Sequence, residues 1–393
     1  MKKLISLILL SAVTLSACSE PVSTYQNKLT KENLEESLSL GTAFLLAHQK
    51  TAGNFNYSYD FVSGTLSEDD NQVRQAGALW GLTLLYAHEP SPELEAAILK
   101  GFNFYEDAAI PSYPGDEQGS TESLALLCLS LLEFLSVDTA PNRESYEELL
   151  TIWLGALVKL QNNDKEFYGK YDYETGEGKN NSSPYSDGEA LLTFSKAANH
   201  FEKEGDSVLA KNYFTFANEA LDSMWQDHVV DAQEENLDSD ETKGFYQWSI
   251  MSLYELDKYQ RSQGDVDTQY VDKAVELAYW MIDVHAVLDR TRNTAYAFEG
   301  LISAYKLAKL YNEDGDYNSE LDKLYETIDT GLAALTSWQV GHSLQNKFIE
   351  TNAEGDALAQ GGITNAADEG DLRIDVTQHQ MHVVIMALEW IYQ

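Results

Sequence analysis

The chain has 393 residues, and its 26 basic and 64 acidic side chains give a net charge of −38. So acidic a chain repels phosphate backbones, which argues against nucleic-acid binding. A hydrophobic content of 44% with 11% aromatic residues is too high for a disordered acidic chain and sufficient for a large core. Cys18 and Cys128 are the two cysteines, so no disulfide framework supports the fold.

Residues 1–17 are predicted to be a lipoprotein signal peptide. Two lysines precede an apolar run, Leu4 to Leu15, that is too short to span a bilayer. The run leads into Leu-Ser-Ala-Cys, which resembles the lipobox of bacterial lipoproteins, where the cysteine is acylated and becomes the first mature residue. The resemblance implies a lipid on Cys18, and Ser19 in place of aspartate implies the outer membrane. An ordinary signal peptide with a chance cysteine is the alternative.

Residues 18–32 are polar and are predicted to be a lipidated tether. Because an anionic chain is not attracted to anionic lipid, acyl chains on Cys18 would have to provide the attachment to outer-membrane lipid. The protein would then face either the periplasm or the cell surface. No later stretch is long and apolar enough to predict a transmembrane helix.

Residues 33–393 are predicted to form one all-α domain, because their hydrophobic spacing is helical throughout. Six segments are apolar on most faces, as interior helices are, and they alternate with six amphipathic, acid-rich segments. The apolar segments are Ala76 to Tyr86, Leu124 to Leu135, Ala190 to Ala198, Trp248 to Tyr259, Tyr296 to Leu310 and Met381 to Ile391. The amphipathic segments are Leu34 to His48, Pro92 to Ala108, Tyr146 to Leu160, Val208 to Trp225, Gln269 to Val284 and Ser319 to Trp338.

The connections that lead into the apolar segments are mostly long, for example residues 161–186 and 339–377, whereas those that leave them are mostly short. Long loops in compact domains are usually functional. The pattern resembles the (α/α)6 toroid, a barrel of six helical hairpins found in many glycan-active enzymes. The resemblance implies a glycoside hydrolase, polysaccharide lyase or sugar epimerase acting on a poly- or oligosaccharide, and the fold alone does not choose among them. An irregular helical solenoid is the alternative.

In a toroid, the starts of the inner helices converge on one funnel, so polar residues at those starts are the site candidates. The first start carries Asp70, Asn71 and Arg74, which could bind sugar hydroxyls and a carboxylate. An N-cap at Asp70 that pairs with Arg74 is the structural alternative.

The start of the third apolar segment carries Tyr185, Asp187 and Glu189. Ser186 and Glu189 fit a capping box, which would make Glu189 structural. Two neighbouring carboxylates would instead push their pKa values apart, as acid/base chemistry requires.

Aromatic rings can stack on the C–H faces of sugars, and several lie beside these starts. The loop of residues 167–173, before the third start, is aromatic and is expected to present exposed rings, whereas core packing at helical spacing is the alternative for Tyr246 and Trp248. The candidates are Tyr171, Tyr173, Tyr185, Tyr246 and Trp248.

The last two starts carry the remaining candidates. Arg292, which precedes Tyr296 and Glu299, could bind an anionic ligand or compensate the acidic surface. The final start is the densest in polar groups, with two of the eight histidines three residues apart on one helical face. Two histidines are too few for a metal site, so no metal or cofactor is predicted. These residues are Arg373, Asp375, His379 and His382.

The sequence therefore predicts a glycoside hydrolase with paired carboxylates. The pair would be Asp187 or Glu189 with Asp70 or Asp375. Arg373 and His379 would orient the substrate or, in a lyase or epimerase, assist proton abstraction. A non-catalytic glycan-binding lipoprotein and a helical interaction scaffold remain as alternatives.

Overall fold

The structure is a computed structural model that describes residues 29–105 and 110–393. The predicted signal peptide, Cys18 and most of the tether lie outside the described residues, so the lipid anchor remains a prediction. None of the helices in the two described ranges combines the length and the hydropathy needed to cross a bilayer.

Twelve long helices of the described chain alternate between an outer and an inner ring, as predicted. The outer helices are α1 (Lys31–His48), α3 (Pro92–Tyr105), α5 (Arg143–Val158), α7 (Ser207–Trp225), α10 (Gln269–Tyr279) and α12 (Asn318–Thr336). The inner helices are α2 (Gln72–His88), α4 (Thr121–Ser136), α6 (Pro184–Lys203), α9 (Asp240–Ser262), α11 (Ala295–Leu310) and α14 (Ile374–Trp390). Two short helices, α8 (Ala232–Glu235) and α13 (Lys347–Asn352), lie in the connections.

The burial of the helices follows their hydrophobic patterns. In α2, every residue from Gln75 to Tyr86 is buried, because the helix is surrounded by others on all sides. The outer helix α3 buries only one stripe, spaced three or four residues apart as the 3.6-residue period requires. That stripe consists of Leu94, Ala97, Ile98, Gly101, Phe102 and Tyr105.

The inner helices form a closed ring. Each packs against the next in chain order, and α14 packs against α2. The outer helix α1 covers α14, so the two ends of the domain are joined. At this junction Gly41 lies against Met381, where a Cβ on residue 41 would sit 2.1 Å from the sulfur. The closed (α/α)6 toroid is confirmed, and an open solenoid is wrong.

Two small antiparallel sheets lie in the long connections at the end of the ring where the inner helices begin. One joins the connections before α2 and α14, with Tyr59 opposite Leu372. The other joins the connections before α4 and α6, with Gly119 opposite Tyr171. The strands are too short to show alternation in the sequence. They are β1 (Ser58–Asp60), β2 (Thr65–Leu66) and β6 (Asp371–Arg373) in the first sheet, and β3 (Gln118–Ser120), β4 (Lys170–Asp172) and β5 (Gly178–Lys179) in the second.

Candidate active site

A cavity of about 260 Å³ lies at the end of the ring where the inner helices begin. Helices α6, α9, α11 and α14 and the connections before α11 and α14 contribute its walls. The charged residues and the histidine of the lining are Glu189, Lys243, Arg373, Asp375 and His379. Its other polar and aromatic residues are Tyr185, Gln247, Trp248, Asn293, Tyr296 and Asn365. Six of the residues predicted from the sequence are thus brought together: Tyr185, Glu189, Trp248, Arg373, Asp375 and His379.

Two histidines of α14 share one carboxylate oxygen beneath this cavity. The Nδ1 atoms of His379 and His382 lie 3.1 Å and 3.0 Å from Oε1 of Glu299, which is fully buried on α11. Because an ionised carboxylate only accepts hydrogen bonds, both imidazoles donate their Nδ1–H to it. The Nε2 atom of His379 is then the ring nitrogen that can exchange a proton with a ligand.

The shared contact changes the acidity of its members. Burial alone would raise the pKa of Glu299, but the two imidazoles outweigh burial and lower that pKa. Burial alone would lower the pKa of His379, and the Glu299 carboxylate outweighs it, so the pKa of His379 is raised. A histidine supported in this way has the proton affinity of a general base.

A second charged cluster joins the first and last inner helices. Arg373 donates from Nε and Nη2 to the two carboxylate oxygens of Asp375, at 3.0 Å and 2.5 Å. The Nε atom of Arg74 lies 3.1 Å from Oδ2 of the same carboxylate. Burial would raise the pKa of Asp375, but the two guanidinium groups lower it, so this carboxylate is held ionised. Its lone pairs are already engaged by the arginines.

Glu189 has the opposite character. The helix begins earlier than the sequence motif suggests, because the capping box of α6 is formed by Ser183 and Ser186, with Pro184 in the first turn. Glu189 is therefore not the capping acid, and the predicted Ser186–Glu189 box is wrong. The side chain is 4% exposed, and its Oε2 atom has no hydrogen-bond partner in the described structure. Burial, with a smaller contribution from Glu122, raises the pKa of Glu189 well above its ordinary value, which favours the protonated carboxylic acid.

The predicted aromatic platforms divide into two groups. Trp248 and the half-exposed Tyr185 line the cavity, and the Trp248 ring centroid is 6.3 Å from that of His379. Tyr246 is buried and donates its hydroxyl hydrogen to the Ala297 carbonyl.

Tyr171 and Tyr173 also lie outside the cavity lining. Tyr171 is 2% exposed and donates its hydroxyl hydrogen to the Pro111 carbonyl. The hydroxyl oxygen of Tyr173 accepts a hydrogen bond from the backbone N–H of Tyr113. The expectation that the loop of residues 167–173 presents exposed rings is wrong for Tyr171 and Tyr173, since both contact the connection before α4.

Asp187 is buried beneath the connection before α6 and is absent from the cavity lining. Its Oδ1 atom accepts a hydrogen bond from the Phe167 backbone N–H at 2.6 Å, and its Oδ2 atom lies 2.7 Å from Nε2 of His228. Burial is the largest influence on this carboxyl and raises the pKa of Asp187 to about 6. Both oxygens are occupied by contacts that hold the connection in place.

Asp70 and Asn71 are occupied by local structure. Asn71, rather than Asp70, is the N-cap of α2 and accepts from the backbone N–H of Arg74. Asp70 accepts from the Tyr113 hydroxyl at 2.6 Å and from the Gln75 side chain at 2.7 Å. Neither residue is among those that line the cavity.

Arg292 also lies outside the cavity lining. It is 61% exposed and forms an ion pair with Glu369.

Within the described residues, two groups of three side chains have the composition and spacing of metal ligands, and neither lies in the cavity. They are Glu147, His200 and Glu204, and Glu166, Asp187 and His228. In the first group, the guanidinium group of Arg143 already pairs with both carboxylates, 3.2 Å from Glu147 and 2.5 Å from Glu204. In the second group, Asp187 and His228 are bonded to each other.

Glu299 is the main residue that was not predicted to be a site residue. It lies at the start of the apolar segment of α11, and a single acid inside such a segment is the signal that points to it. Lys243, Gln247, Tyr296, Asn293 and Asn365 were also not predicted to line the site. These five have no distinctive sequence pattern and reach the cavity through the fold.

The fold resembles that of several sugar-acting proteins of known structure. A sugar epimerase from a ruminal bacterium is 12% identical and has a TM-score of 0.60, covering 91% of this chain and 98% of that one. An inactive variant of an α-1,6-mannanase from Salegentibacter sp. HEL1_6, in complex with α-1,6-mannotetrose, is 11% identical and has a TM-score of 0.58. The match covers 92% of this chain and 99% of that one. A D-mannose isomerase is 15% identical and has a TM-score of 0.55, covering 92% of this chain and 98% of that one.

At these identities the likeness is one of fold. No family model matches the sequence, and no curated protein matches it significantly. The chain therefore has the (α/α)6 toroid fold shared by these epimerase, isomerase and mannanase structures.

Proposed function

We propose that this protein is a sugar-converting enzyme in which His379 moves a proton to or from a carbon atom beside a carbonyl group, as in an epimerase or isomerase. The observation that carries the proposal is the contact of His379 with the buried carboxylate of Glu299, 3.1 Å away, at a cavity that His379 itself lines. A neutral imidazole held by a carboxylate is a suitable base for a weakly acidic C–H bond.

The neighbouring groups supply the other requirements of such a reaction. When the C–H bond breaks, its proton goes to Nε2 of His379 and its electron pair moves toward the carbonyl, which becomes an enolate oxygen. Arg373 offers a positive charge to that oxygen, and its Nη1 atom is the one not used on Asp375. Glu189, whose pKa burial raises well above its ordinary value, can return a proton to the enolate carbon.

The cavity suits a small, polar ligand. Its volume of about 260 Å³ is slightly below the ~300–1,000 Å³ of typical ligand pockets, so it holds the end of a sugar chain or a short saccharide. Trp248 provides an apolar wall, and Gln247, Asn293 and Asn365 provide amide groups for hydroxyls. This combination supports a poly- or oligosaccharide end as the ligand.

Hydrolysis by paired carboxylates is the second candidate. Glu189 and Asp375 line the same cavity, and their pKa values are displaced in opposite directions, as an acid and a base require. The arginines that hold both oxygens of Asp375 weaken it as a base toward water. This arrangement favours proton transfer by His379 over hydrolysis.

One experiment separates these chemistries. The protein is incubated in D2O with reducing mono- and oligosaccharides and with neutral and uronate-containing polysaccharides, and the products are followed by NMR. Proton transfer by His379 predicts deuterium on the carbon beside the carbonyl and an epimer or isomer as the product. New reducing ends without carbon-bound deuterium would establish hydrolysis instead, and unsaturated ends would establish a lyase.

We also propose that the enzyme is a lipoprotein held in the outer membrane by acylated Cys18. The lipobox-like ending of the apolar segment supports this, as does an acidic composition that gives the chain no electrostatic attraction to anionic lipid. An enzyme held there would meet saccharides in the periplasm or at the cell surface.

A further inference from the structure

We infer that His382 is a positioning residue that competes with His379 for the single counter-charge of Glu299, and thereby keeps His379 available as an unprotonated base. Only the effect of this competition on catalysis rests on the proposed function. The competition itself is a property of three side chains and can be measured without turnover.

The geometry places both imidazoles on one atom. His379 and His382 are three residues apart on one face of α14, and their Nδ1 atoms reach the same Oε1 atom of Glu299 at 3.1 Å and 3.0 Å. The other oxygen, Oε2, is buried and has no partner in the described structure. The second histidine therefore does not simply occupy the second oxygen.

One carboxylate balances one imidazolium. Glu299 is fully buried and His382 is 8% exposed, so a second positive charge at this site would be poorly solvated and would repel the first. Protonation of either histidine therefore disfavours protonation of the other.

His382 stands apart from the reacting groups. It lines a second cavity of about 290 Å³, at the end of the ring where the inner helices finish, whereas His379 lines the first. The Trp80 ring packs edge-on against His382 with the centroids 5.0 Å apart. His382 is therefore linked to a ligand in the first cavity only indirectly, through Glu299 and His379 and by way of Trp80, whose ring centroid is 5.8 Å from that of Trp248.

Several other charged groups lie around the two histidines, and some of them are already paired. Near His379, Asp375 is held by Arg74 and Arg373. In the second cavity, Lys196 is paired with Glu133 and Glu255. The remaining titratable groups that line the two cavities are Glu189, Lys243, Tyr185 and Tyr296 in the first, and His88, Lys258, Lys306, Tyr254 and Glu389 in the second.

The test uses His382→Asn, because an asparagine amide can still donate a hydrogen bond to Glu299 but cannot become charged. Protein with 13C-labelled histidine is titrated by NMR, and the signals of His379 and His382 are assigned by substitution. In the natural protein, each of the two signals should respond to both protonation steps. In His382→Asn, His379 should titrate in one step and at higher pH, because its competitor for the positive charge is gone.

The matched control is His200→Gln, which changes another buried histidine bonded to a carboxylate, 2.9 Å from Glu147 on the outer side of the ring. It should leave the His379 titration unmoved. If His379 titrates identically in His382→Asn and in the natural protein, the competition does not exist and His382 is a neutral structural donor. Independent one-step curves in the natural protein would overturn the inference even if the variant failed to fold.

The kinetic consequence is measured separately on whichever saccharide is turned over. A base acts when unprotonated, so in His382→Asn the acid limb of kcat/KM should move to higher pH, while the rate on the alkaline plateau is retained. A uniform loss at every pH would contradict the positioning role. If no saccharide is turned over by the natural protein, the proposed function fails while the NMR titration still decides the competition.

Discussion

Arg74 at the start of the first inner helix and Asp375 at the start of the last are joined by an ion pair of 3.1 Å. The pair is possible because β1 and β6 bring the connections before these two helices together, with Ser58 opposite Arg373. The ring is therefore closed by this ion pair, at the end where the inner helices begin, as well as by apolar packing between α1 and α14. Asp375 also pairs with Arg373, which lies in the wall of the cavity.

Asp375→Asn should destabilise the domain, because it removes the carboxylate charge that lies between Arg74 and Arg373. Breaking a buried ion pair costs about 3–5 kcal/mol, and we expect about 3 kcal/mol, since the Arg74 side chain is 35% exposed. Chemical denaturation measures the change. The control is Glu350→Gln in the exposed pair with Lys347, which should cost less than about 1 kcal/mol. Equal stability of both variants would contradict the structural role of Asp375.

Gly188→Ala should disturb the wall of the cavity. A Cβ at this position of α6 would lie 2.6 Å from Cβ of Trp248, so the two helices must separate or the tryptophan must move. Overpacking of this kind costs about 1–3 kcal/mol. Thermal unfolding measures the loss of stability, and a change in the tryptophan fluorescence spectrum, to which Trp248 contributes as one of seven tryptophans, reports the movement of its ring.

Gly155→Ala is the matched control, because it lies within α5 and a Cβ there meets nothing within 4 Å. It should stabilise the domain by about 0.5–1 kcal/mol through higher helix propensity. A Gly188→Ala variant that is no less stable than Gly155→Ala would show that the packing against Trp248 is not the reason for Gly188.

The arrangement of the helices could be predicted because the necessary information is local. An inner helix such as α2 is apolar on most faces, and an outer helix such as α3 carries one stripe, so each segment shows its position through its own period. Closure of the ring was inferred from the loop lengths. The short strands could not be predicted, since β1 has three residues and its partner β6 lies at the other end of the chain.

The site was only partly predictable, because its residues are selected by contacts between helices. Tyr246 and Trp248 lie two residues apart and look equivalent in sequence, yet one packs against Gly300 and the other faces the cavity. Glu189 fits a capping motif that the structure places three residues earlier. Glu299 becomes significant only when α14 brings His379 and His382 against it.

His228→Gln should show how the connection before α6 is held. The Nδ1 and Nε2 atoms of His228 lie 2.9 Å from Glu241 and 2.7 Å from Asp187, so both ring nitrogens donate when the imidazole is charged. Burial would lower the pKa of His228, but the two carboxylates outweigh it and raise that pKa.

The sign of the pH dependence follows from that direction. A histidine whose folded-state pKa is raised stabilises the fold below its unfolded pKa of about 6.5, and this contribution is lost as the pH rises through the folded pKa. The melting temperature of the natural protein should therefore exceed that of His228→Gln most at pH 6, and the difference should shrink toward pH 9. A difference that stays constant over this range would show that His228 does not bind its proton more tightly in the folded state.

Cys18→Ser should abolish the lipid attachment and release the protein from the membrane fraction, because an acidic chain without acyl groups has no attraction to anionic lipid. Metabolic labelling with a radioactive fatty acid and fractionation of the cell envelope measure the change. Cys128→Ser is the control, since Cys128 is buried in α4 and burial raises the pKa of its thiol. That variant should remain labelled. Retention of Cys18→Ser in the membrane after a salt wash would contradict the lipoprotein proposal.

His379→Asn should abolish proton transfer while leaving the fold intact. An asparagine amide can still donate to Glu299, so the buried carboxylate keeps a partner, but there is no longer a nitrogen that accepts the substrate proton. The incorporation of deuterium from D2O into the sugar should fall by about 10²–10⁴-fold, the usual contribution of a general base. His200→Gln is the control and should leave the rate of deuterium incorporation unchanged.

Glu189→Gln distinguishes the two candidate reactions when it is compared with His379→Asn. In an epimerase or isomerase, Glu189 returns a proton after His379 has removed one. His379→Asn should therefore eliminate both deuterium exchange and product formation. Glu189→Gln should lower product formation more than it lowers deuterium exchange, because His379 still removes the proton. In hydrolysis by paired carboxylates, Glu189→Gln would abolish bond cleavage, and His379→Asn would leave much of it. The second pattern would make Glu189 the acid of a hydrolase and reduce His379 to a residue that orients the sugar.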